Sequence, residues 1–261
     1  MSNSQVTGLT VTCKQDFYLI PRLLESIEKY SVTKFYHYII LNDDINYLER
    51  LQKIVSYYPL VKIYHWEEIP RMVAPLRIDN RFGPRHNYDG WVSQIMLTLA
   101  CANLIPTDYY LHLCSKDYFI ESYDILAMIK DNRAMSRFDK FKNNVPDFDD
   151  DVSYLFYWIN AYKFFDLNPW DYIDRTLRPE TPAILITKLV NDMLEYLDKT
   201  DVSILDLVGY NLTQSYRPDP GTGKTIEYYL YSAWLAKTNN LDLLSDTWSD
   251  DRPDKYIVYG R

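Results

Sequence analysis

The sequence predicts an α/β fold with a mostly parallel central sheet flanked by helices. Two observations predict it: β-rich runs alternate with runs of helical periodicity in the first half of the chain, and helical patterns dominate the second half. Such alternation is typical of parallel strands joined by crossover helices that cover both faces of a sheet. With 261 residues, of which 47% are apolar, the chain is long enough to bury a large core in one domain.

The first strand is predicted over residues 9–12, a run rich in β-branched residues. The segment after it predicts a helix, because apolar residues recur at i, i+3, i+4 and i+7 and so share one face. These residues are Ile20, Leu23, Leu24 and Ile27.

The next elements repeat the alternation. A strand is predicted over residues 35–41, and it ends in the polar turn 42–44. A helix over residues 47–57 follows and is terminated by Pro59. Residues 61–64 then predict a third strand.

Residues 67–90 contain prolines, glycines and charged side chains, and they interrupt the alternation of strands and helices. They are predicted to form a long loop, and loops of this length are often functional. A helix resumes over residues 91–103. The strand predicted over residues 109–113 then ends abruptly in the polar cluster 114–117. The acidic segment 131–151 is predicted to be a surface loop or lid.

The remainder of the chain is largely helical. Helices are predicted over residues 152–165, 185–197 and 226–234, and residues 181–185 predict a short strand that lines a cavity. The tail after Leu244 is polar and poorly patterned.

Charge and cysteine content argue against several functional classes. The formal net charge is −8, and no run of basic residues of the kind that grips duplex DNA is present. Cys13, Cys101 and Cys114 have no metal-ligand spacing, and their odd number and wide separation fit a reducing compartment. The N-terminus lacks a signal-peptide pattern, and no apolar run is long enough to predict a membrane span. We therefore expect a cytoplasmic protein.

The polar cluster after the strand 109–113 is the first candidate site. In open α/β sheets ligands bind beyond the carboxyl ends of the strands, so Ser115, Lys116 and Asp117 would hold a nucleotide's phosphates and any metal ion with them. The alternative is a surface turn with a local ion pair. Arginines of the 67–90 loop would also clamp phosphates, unless that loop is simply solvated. They are Arg71, Arg77, Arg81 and Arg85.

Glu227 and Asp89 are the candidate general bases, since group transfer requires a group that removes the acceptor's proton. Glu227 begins a predicted helix, where a carboxylate also stabilises the N-terminus. Asp89 precedes Gly90-Trp91 and has the alternative role of capping that helix. Trp91 would either stack on a sugar ring or pack in the core, and Gln94 faces partly the same side.

Three other patterns are interpreted as structural. Residues 221–225 look like the end of a phosphate-binding loop, but Pro218 stands where that motif needs glycine; a loop bearing Lys224 near Glu227 stays open as an alternative. The Asp-x-Asp patterns of residues 147–151 lie outside the predicted strand end, which favours a solvated loop. His112 alternates with leucines and is interpreted as a packed histidine on the other strand face.

Four blocks, in order along nearly the whole chain, resemble a known family. The blocks are Lys14-Gln15-Asp16 with the helix that contains residues 24–27; Gly90-Trp91 with Gln94, Leu97 and residues 110–119; Thr181-Pro182-Ala183 with residues 189–197; and residues 227–233. On these blocks the chain resembles the GT-A-type glycosyltransferases and, within them, a bacterial and phage glycosyltransferase-like family described as a domain of unknown function.

This resemblance implies one GT-A-like (Rossmann-like) domain over residues 1–261. It places a nucleotide-binding half over about residues 1–130 and an acceptor-side half over about residues 131–261. It also implies a nucleotide-sugar donor, with an Asp-x-Asp motif that holds Mg²⁺ or Mn²⁺ against the diphosphate.

The slot that matches this motif is Cys114-Ser115-Lys116-Asp117, in which Cys114 replaces the first acidic residue. Asp117 alone offers few of the oxygen ligands that Mg²⁺ or Mn²⁺ requires. Lys116 would then neutralise the leaving diphosphate itself, and metal dependence is in question.

The resemblance thus assigns roles residue by residue. Asp43 and Asp44 either contact the base or ribose, or cap a turn. The expected catalytic residues are Glu227, Asp117 and Asp89, with Asp117 also the expected ligand of any metal. The expected donor-binding residues are Lys14, Asp43, Asp44, Trp91, Gln94, Ser115 and Lys116.

The predicted function is transfer of a sugar from a nucleotide-sugar donor to a glycan or to a modified phage DNA base. One alternative is a catalytically inactive module that binds a nucleotide or sugar. Another is a nucleotidyltransferase, which would need two acidic residues converging on a metal, whereas Asp117 is the one well-placed candidate.

Overall fold

The computed structural model describes residues 6–70, 72, 88–138, 141–142, 145–146, 152–200, 202, 207, 225–245 and 253–259. For residues 88–92, 141–142, 145–146, 152–154 and 254 it describes the backbone alone.

The described strands are β1 (Val6–Thr12), β2 (His37–Leu41), β3 (Val61–His65), β4 (Tyr109–His112), β5 (Asp117–Phe119), β6 (Ile129–Lys130), β7 (Arg133–Met135), β8 (Phe141–Lys142), β9 (Val145–Pro146), β10 (Ala183–Ile186), β11 (Leu244–Ser245) and β12 (Ile257–Tyr259). The described α-helices are α1 (Ile20–Tyr30), α2 (Leu48–Val55), α3 (Tyr88–Ala100), α4 (Val152–Phe164), α5 (Thr187–Lys199) and α6 (Glu227–Lys237).

The central sheet has the strand order β10-β4-β1-β2-β3. Strands β4, β1, β2 and β3 run parallel, whereas β10 is antiparallel to β4. Every residue of β1 is buried, while β3, at the edge of the sheet, is only partly buried. The predicted α/β fold with a mostly parallel central sheet is confirmed.

The helices differ in how far they are buried. Helix α1 buries the predicted apolar face, including Ile20, Leu23 and Ile27. Helix α6 is buried on all sides, from Glu227 to Ala236, because it packs against α3, α4 and α5. The one-sided pattern predicted for α6 was therefore incomplete, since a helix surrounded by other helices has no solvent face. None of the described helices has both the length and the apolar character needed to cross a bilayer.

Two segments contain strands that periodicity did not predict. Residues 131–151, predicted as a loop, contribute β7 to a small β11-β7-β6 sheet and form the β8–β9 hairpin. Near the C-terminus, β12 pairs antiparallel with β5, directly after the 114–117 cluster. Strands of two or three residues are too short to show an alternating pattern in the sequence.

Candidate active site

The carboxyl edge of the parallel strands brings the predicted polar cluster next to the end of β1. The amide of Leu113 donates to the carbonyl of Leu9 (2.9 Å), so the chain continues alongside β1 after β4 ends. The hydroxyl of Ser115 lies 3.3 Å from that of Thr12, the last residue of β1. The segment 115–117 therefore lies at the carboxyl edge, where parallel sheets bind their ligands.

Asp117 is a buried carboxyl group at this edge, with 1% of its surface exposed. Its Oδ2 accepts a hydrogen bond from the Cys114 amide (2.7 Å). Its Oδ1 has no hydrogen-bond partner among the described residues. Burial raises the pKa of Asp117 to about 6, although the nearby Thr181 side chain and the hydrogen bond from the Cys114 amide act to lower it. Asp117 can therefore gain or lose a proton close to neutral pH.

Glu227 is a second buried carboxyl group, and it begins helix α6 as predicted. Burial raises the pKa of Glu227 to about 7, although a hydrogen bond from its own backbone amide acts to lower it. The neighbouring Tyr228 has a pKa raised well above the usual value by burial and then by the charges of Glu227 and Asp117. The charges of both carboxyl groups contribute to the pKa of the same phenol. Asp117 and Glu227, which are 110 positions apart in the sequence, therefore lie in one region of the fold.

Tyr228 is held by a hydrogen-bond chain that crosses three elements. The hydroxyl of Thr98 in α3 donates to the Gln94 carbonyl (2.9 Å), so its oxygen accepts from His112 Nε2 (3.4 Å). His112 Nδ1 is then the acceptor of the Tyr228 hydroxyl (2.6 Å). Burial lowers the pKa of His112 to about 4, so the ring is neutral. The predicted packed role of His112 thus includes anchoring the first turn of α6 to β4.

Lys14, Asp43 and Asp44 lie at the neighbouring ends of β1 and β2. The Asp43 carboxylate accepts from the amides of Lys14 (3.0 Å) and Asp44 (2.8 Å), which fastens the two strand ends together. Asp44 caps the short helix Ile45–Tyr47 by accepting from the Asn46 amide (3.0 Å). The turn-capping alternative therefore describes Asp44 correctly, and a contact of either aspartate with a nucleotide stays a prediction.

The Lys14 ammonium is oriented by Tyr47, whose hydroxyl accepts its hydrogen bond (3.0 Å). This hydrogen bond and the charge of Asp43 raise the pKa of Lys14. The Lys116 ammonium lies 5.5 Å from the centre of the Tyr259 ring in β12. A hydrogen bond with the Tyr259 hydroxyl is the main cause of the raised pKa of Lys116. Two ammonium groups are thus held at strand ends on this edge.

Sequence reasoning did not single out Asp16, Thr181, Tyr228 or Tyr259. The charge of Asp16 contributes to the raised pKa values of Cys13, Cys114 and Lys116, which places it within this cluster. Asp16, Thr181 and Tyr228 each belong to one of the matched blocks, and that membership was the one signal the sequence carried. Tyr259 lies in a strand of three residues and gave none.

Several predicted residues lie partly or wholly outside the described part of the chain. Asp89 and Trp91 belong to α3, whose backbone alone is described there; because α3 begins at Tyr88, Asp89 lies within the first turn rather than before the helix. Gln94 is half-buried in the same helix. The following lie outside the described residues: Arg71, Arg77, Arg81, Arg85, Lys224, residues 221–223 and residues 147–151.

The described residues alone do not form a site that could hold a divalent cation. Among them, no group of three or more His, Cys, Asp or Glu side chains is arranged to hold a metal. Asp117 offers one carboxylate oxygen without a partner, and burial raises the pKa of Cys114 to about 11, so that side chain is a thiol and not a thiolate ligand. Mg²⁺ prefers several oxygen ligands in octahedral geometry.

Comparison with known proteins places the chain in a family. Residues 9–258 match the family of unknown function DUF6492, and the chain belongs to that family. Membership of a family of unknown function is thereby confirmed, whereas the predicted glycosyltransferase-like character of that family stays a prediction. No curated protein matches the sequence significantly.

Three solved structures are similar to the chain. Mouse xyloside xylosyltransferase 1 is 10% identical with a TM-score of 0.45, over 96% of this chain and 91% of that one. The WbbM bifunctional glycosyltransferase is 11% identical with a TM-score of 0.38, over 91% of this chain. S. aureus TarS is 15% identical with a TM-score of 0.39, over 73% of this chain. The chain spans 45% of the WbbM structure and 30% of the TarS structure.

Proposed function

We propose that this member of the DUF6492 family is a GT-A-like glycosyltransferase that moves a sugar from a nucleotide-sugar donor to an acceptor. One observation supports the proposal above the others. Asp117 and Glu227 are two buried carboxyl groups with raised pKa values, and the charges of both raise the pKa of the Tyr228 phenol at the carboxyl edge of a parallel sheet. Carboxyl groups with perturbed pKa values beside the ligand-binding edge of a sheet are typical of acid–base sites. The four sequence blocks support the same reaction class.

Glu227 is the proposed general base. A carboxyl group with a pKa of about 7 is ionised in part at neutral pH and is basic enough to accept a proton from an acceptor hydroxyl as the new bond forms. Asp117 is the proposed second carboxyl group of the site, and Asp89 remains a proposed alternative base. Burial of both described carboxyl groups would also limit hydrolysis of the donor by water.

The leaving diphosphate requires compensation of its growing negative charge. Lys116 is the proposed source, since it directly precedes Asp117 in the chain and its ammonium is held by Tyr259. Lys14 at the end of β1 and Ser115 beside Thr12 supply further donors along the same edge. Asp43 and Asp44 would contact the base or ribose, with Trp91 and Gln94 completing the donor site.

The acceptor is proposed to be either a glycan or a modified phage DNA base, met in the cytoplasm. The formal net charge of −8 disfavours a tight grip on duplex DNA, although a brief encounter requires only a local basic surface. Transfer to a glycan and transfer to a DNA base would be distinguished by offering both acceptors with the same labelled donor.

Binding of the donor is the first test. Isothermal titration with UDP-, GDP-, CDP- and dTDP-sugars is expected to show binding of at least one, weakened by Lys116→Ala and unchanged by the matched control Lys130→Ala on an exposed part of the chain. Repeating the titration with EDTA tests the metal dependence that Cys114, in place of the first acidic residue of the matched motif, puts in question. If none of these nucleotide sugars binds at millimolar concentration, the proposal is wrong.

Turnover is the second test. Glu227→Gln keeps the shape of the side chain but cannot accept the proton, so nucleotide release from the bound donor should fall by roughly 100-fold or more. Glu195→Gln, on the exposed face of α5, is the matched control. Binding without any turnover in the parent protein would instead identify an inactive binding module, which Cys114 in place of an acidic residue would explain.

A further inference from the structure

The strand β12 lies directly against the polar cluster of the candidate active site. It pairs antiparallel with β5, and the register of this pair sets Tyr259 opposite Asp117. Directly opposite residues of an antiparallel pair share one face, with their Cβ atoms about 4.5–5.5 Å apart. Tyr259 is therefore a neighbour of the buried Asp117 carboxyl group, although the two residues are far apart in the sequence.

The position of β12 is fixed by residues other than Tyr259. Ile257 is buried, with 1% of its surface exposed. The Tyr256 ring stacks on that of Tyr123, with 4.9 Å between the ring centres, and the Tyr256 carbonyl accepts from the Ile120 amide (2.8 Å). Tyr259 itself exposes 55% of its surface, so it contributes little to this anchoring.

What Tyr259 does contact is the Lys116 ammonium, which lies 5.5 Å from the centre of its ring. The Tyr259 hydroxyl is the first cause of the raised pKa of Lys116, and the charge of Asp16 contributes to the same shift. Asp16 belongs to the short helix Lys14–Asp16 that follows β1. The Lys116 ammonium therefore lies close both to β12 and to the segment at the carboxyl end of β1.

The chemistry of this contact suits an ammonium that has to bind an anion. A lysine carries its charge on a flexible four-carbon stem, and holding that stem in one rotamer reduces the affinity for any anion. A hydroxyl that already orients the ammonium removes part of this cost. A phenol is neutral and occupies one of the three N–H donors of Lys116, so it leaves the positive charge and two donors for a ligand.

We propose that Tyr259 is a positioning residue of the donor site, which holds the Lys116 ammonium at the carboxyl edge for the donor's diphosphate. The strand β12 is thereby a functional part of that site. This inference rests on the proposed function, because it concerns the diphosphate of a nucleotide-sugar donor. By linkage, diphosphate binding and the pairing of β12 with β5 then stabilise each other.

The first test is isothermal titration of the full chain with inorganic pyrophosphate, which carries the diphosphate charge without a base or a sugar. Tyr259→Phe keeps the ring and removes the hydroxyl, and it is expected to weaken pyrophosphate binding roughly three- to tenfold, the range expected when one flexible side chain has to be immobilised on binding. Tyr57→Phe is the matched control. Tyr57 precedes β3 at the opposite edge of the sheet and exposes 84% of its surface, so this variant should bind as the parent does.

A double-mutant cycle separates positioning from a general structural role. If Tyr259 acts through Lys116, then Tyr259→Phe should cause no further loss of affinity in a Lys116→Ala background. A tyrosine that merely supports the strand would weaken binding equally in both backgrounds.

Amide hydrogen exchange tests the linkage with β12. Saturating pyrophosphate should slow exchange of the β12 amides at least roughly threefold in the parent, because opening of the strand would release the ammonium from its position. The slowing should be smaller in Tyr259→Phe.

Four outcomes would overturn the inference: no binding of millimolar pyrophosphate to the parent, parent-like binding by Tyr259→Phe, a full effect of Tyr259→Phe in the Lys116→Ala background, or exchange of the β12 amides that ignores pyrophosphate. If pyrophosphate binds as expected but no nucleotide sugar does, the proposed function is wrong and the role of Tyr259 in holding Lys116 for a diphosphate stands. The two failures are therefore distinguishable.

Discussion

Replacement of Glu227 by glutamine should change the stability of this protein in a pH-dependent way. Burial raises the pKa of Glu227 from its usual 4.5 to about 7. Because the folded pKa lies above the unfolded one, the folded state binds the proton more tightly, and the free energy of unfolding falls as the pH rises through this window. For one group with these two pKa values, the loss between pH 5 and pH 8 is about 2.5 kcal/mol.

Glutamine carries no charge to desolvate, so the variant should lack this component of the pH dependence. We expect Glu227→Gln to have nearly the parent's free energy of unfolding at pH 5 and to exceed it by roughly 2 kcal/mol at pH 8. Asp117, whose pKa is also raised, titrates in both proteins and largely cancels in the difference.

The measurement is urea unfolding, followed by circular dichroism, of the parent and the variant at both pH values. Glu195→Gln in α5 is the matched control, because that carboxylate is exposed and the same exchange should change little. The reasoning is refuted if Glu227→Gln shifts stability equally at the two pH values, or if it is less stable than the parent at pH 8. Either result would mean that the Glu227 carboxylate is compensated when ionised.

Three further predictions concern the scaffold, each measured by urea unfolding at neutral pH. Gly8→Ala would place a Cβ 2.3 Å from His37 Nδ1, and we expect a loss of about 1–3 kcal/mol from overpacking. Tyr228→Phe removes the hydroxyl that donates to His112 Nδ1 and should cost about 1–2 kcal/mol, because a buried acceptor loses its partner. Asp44→Ala removes the cap of a short helix and should cost about 1 kcal/mol.

Each of these predictions has a contradicting result. Gly8→Ala with the parent's unfolding midpoint would mean that His37 moves aside without cost. A cost of Tyr228→Phe that persists in full in a His112→Ala background would show that the two side chains do not interact. For the cap, Asp44→Asn should retain most of the stability, and a loss equal to that of Asp44→Ala would assign the cost to the charge instead.

The part of the candidate site that lies at the ends of strands could be predicted from the sequence. Ser115 and Lys116 follow β4, so the carboxyl-edge rule predicted their location from local pattern. Lys14, Asp43 and Asp44 also follow strands, but the resemblance, and not the pattern alone, assigned them to the site. Glu227 was found as a charged residue at the start of a helix. Its partners at the site, Tyr228 among them, were not, because a tyrosine in a buried helix carries no signal of what it faces.

What the sequence determined by itself is the order of strands and helices and the polar ends of the strands, since these follow from periodicity and turn chemistry within a few residues. What only the tertiary structure decided is long-range: the placement of Asp117 and Glu227 near the same phenol of Tyr228, the hydrogen-bond chain from Thr98 through His112 to Tyr228, and the burial of α6 on every side. The physical reason is that desolvation, which raises the pKa values of both carboxyl groups, depends on how many groups from distant segments surround them. The local sequence pattern determines which face of an element is apolar. Only tertiary packing determines how far a charged group is removed from water.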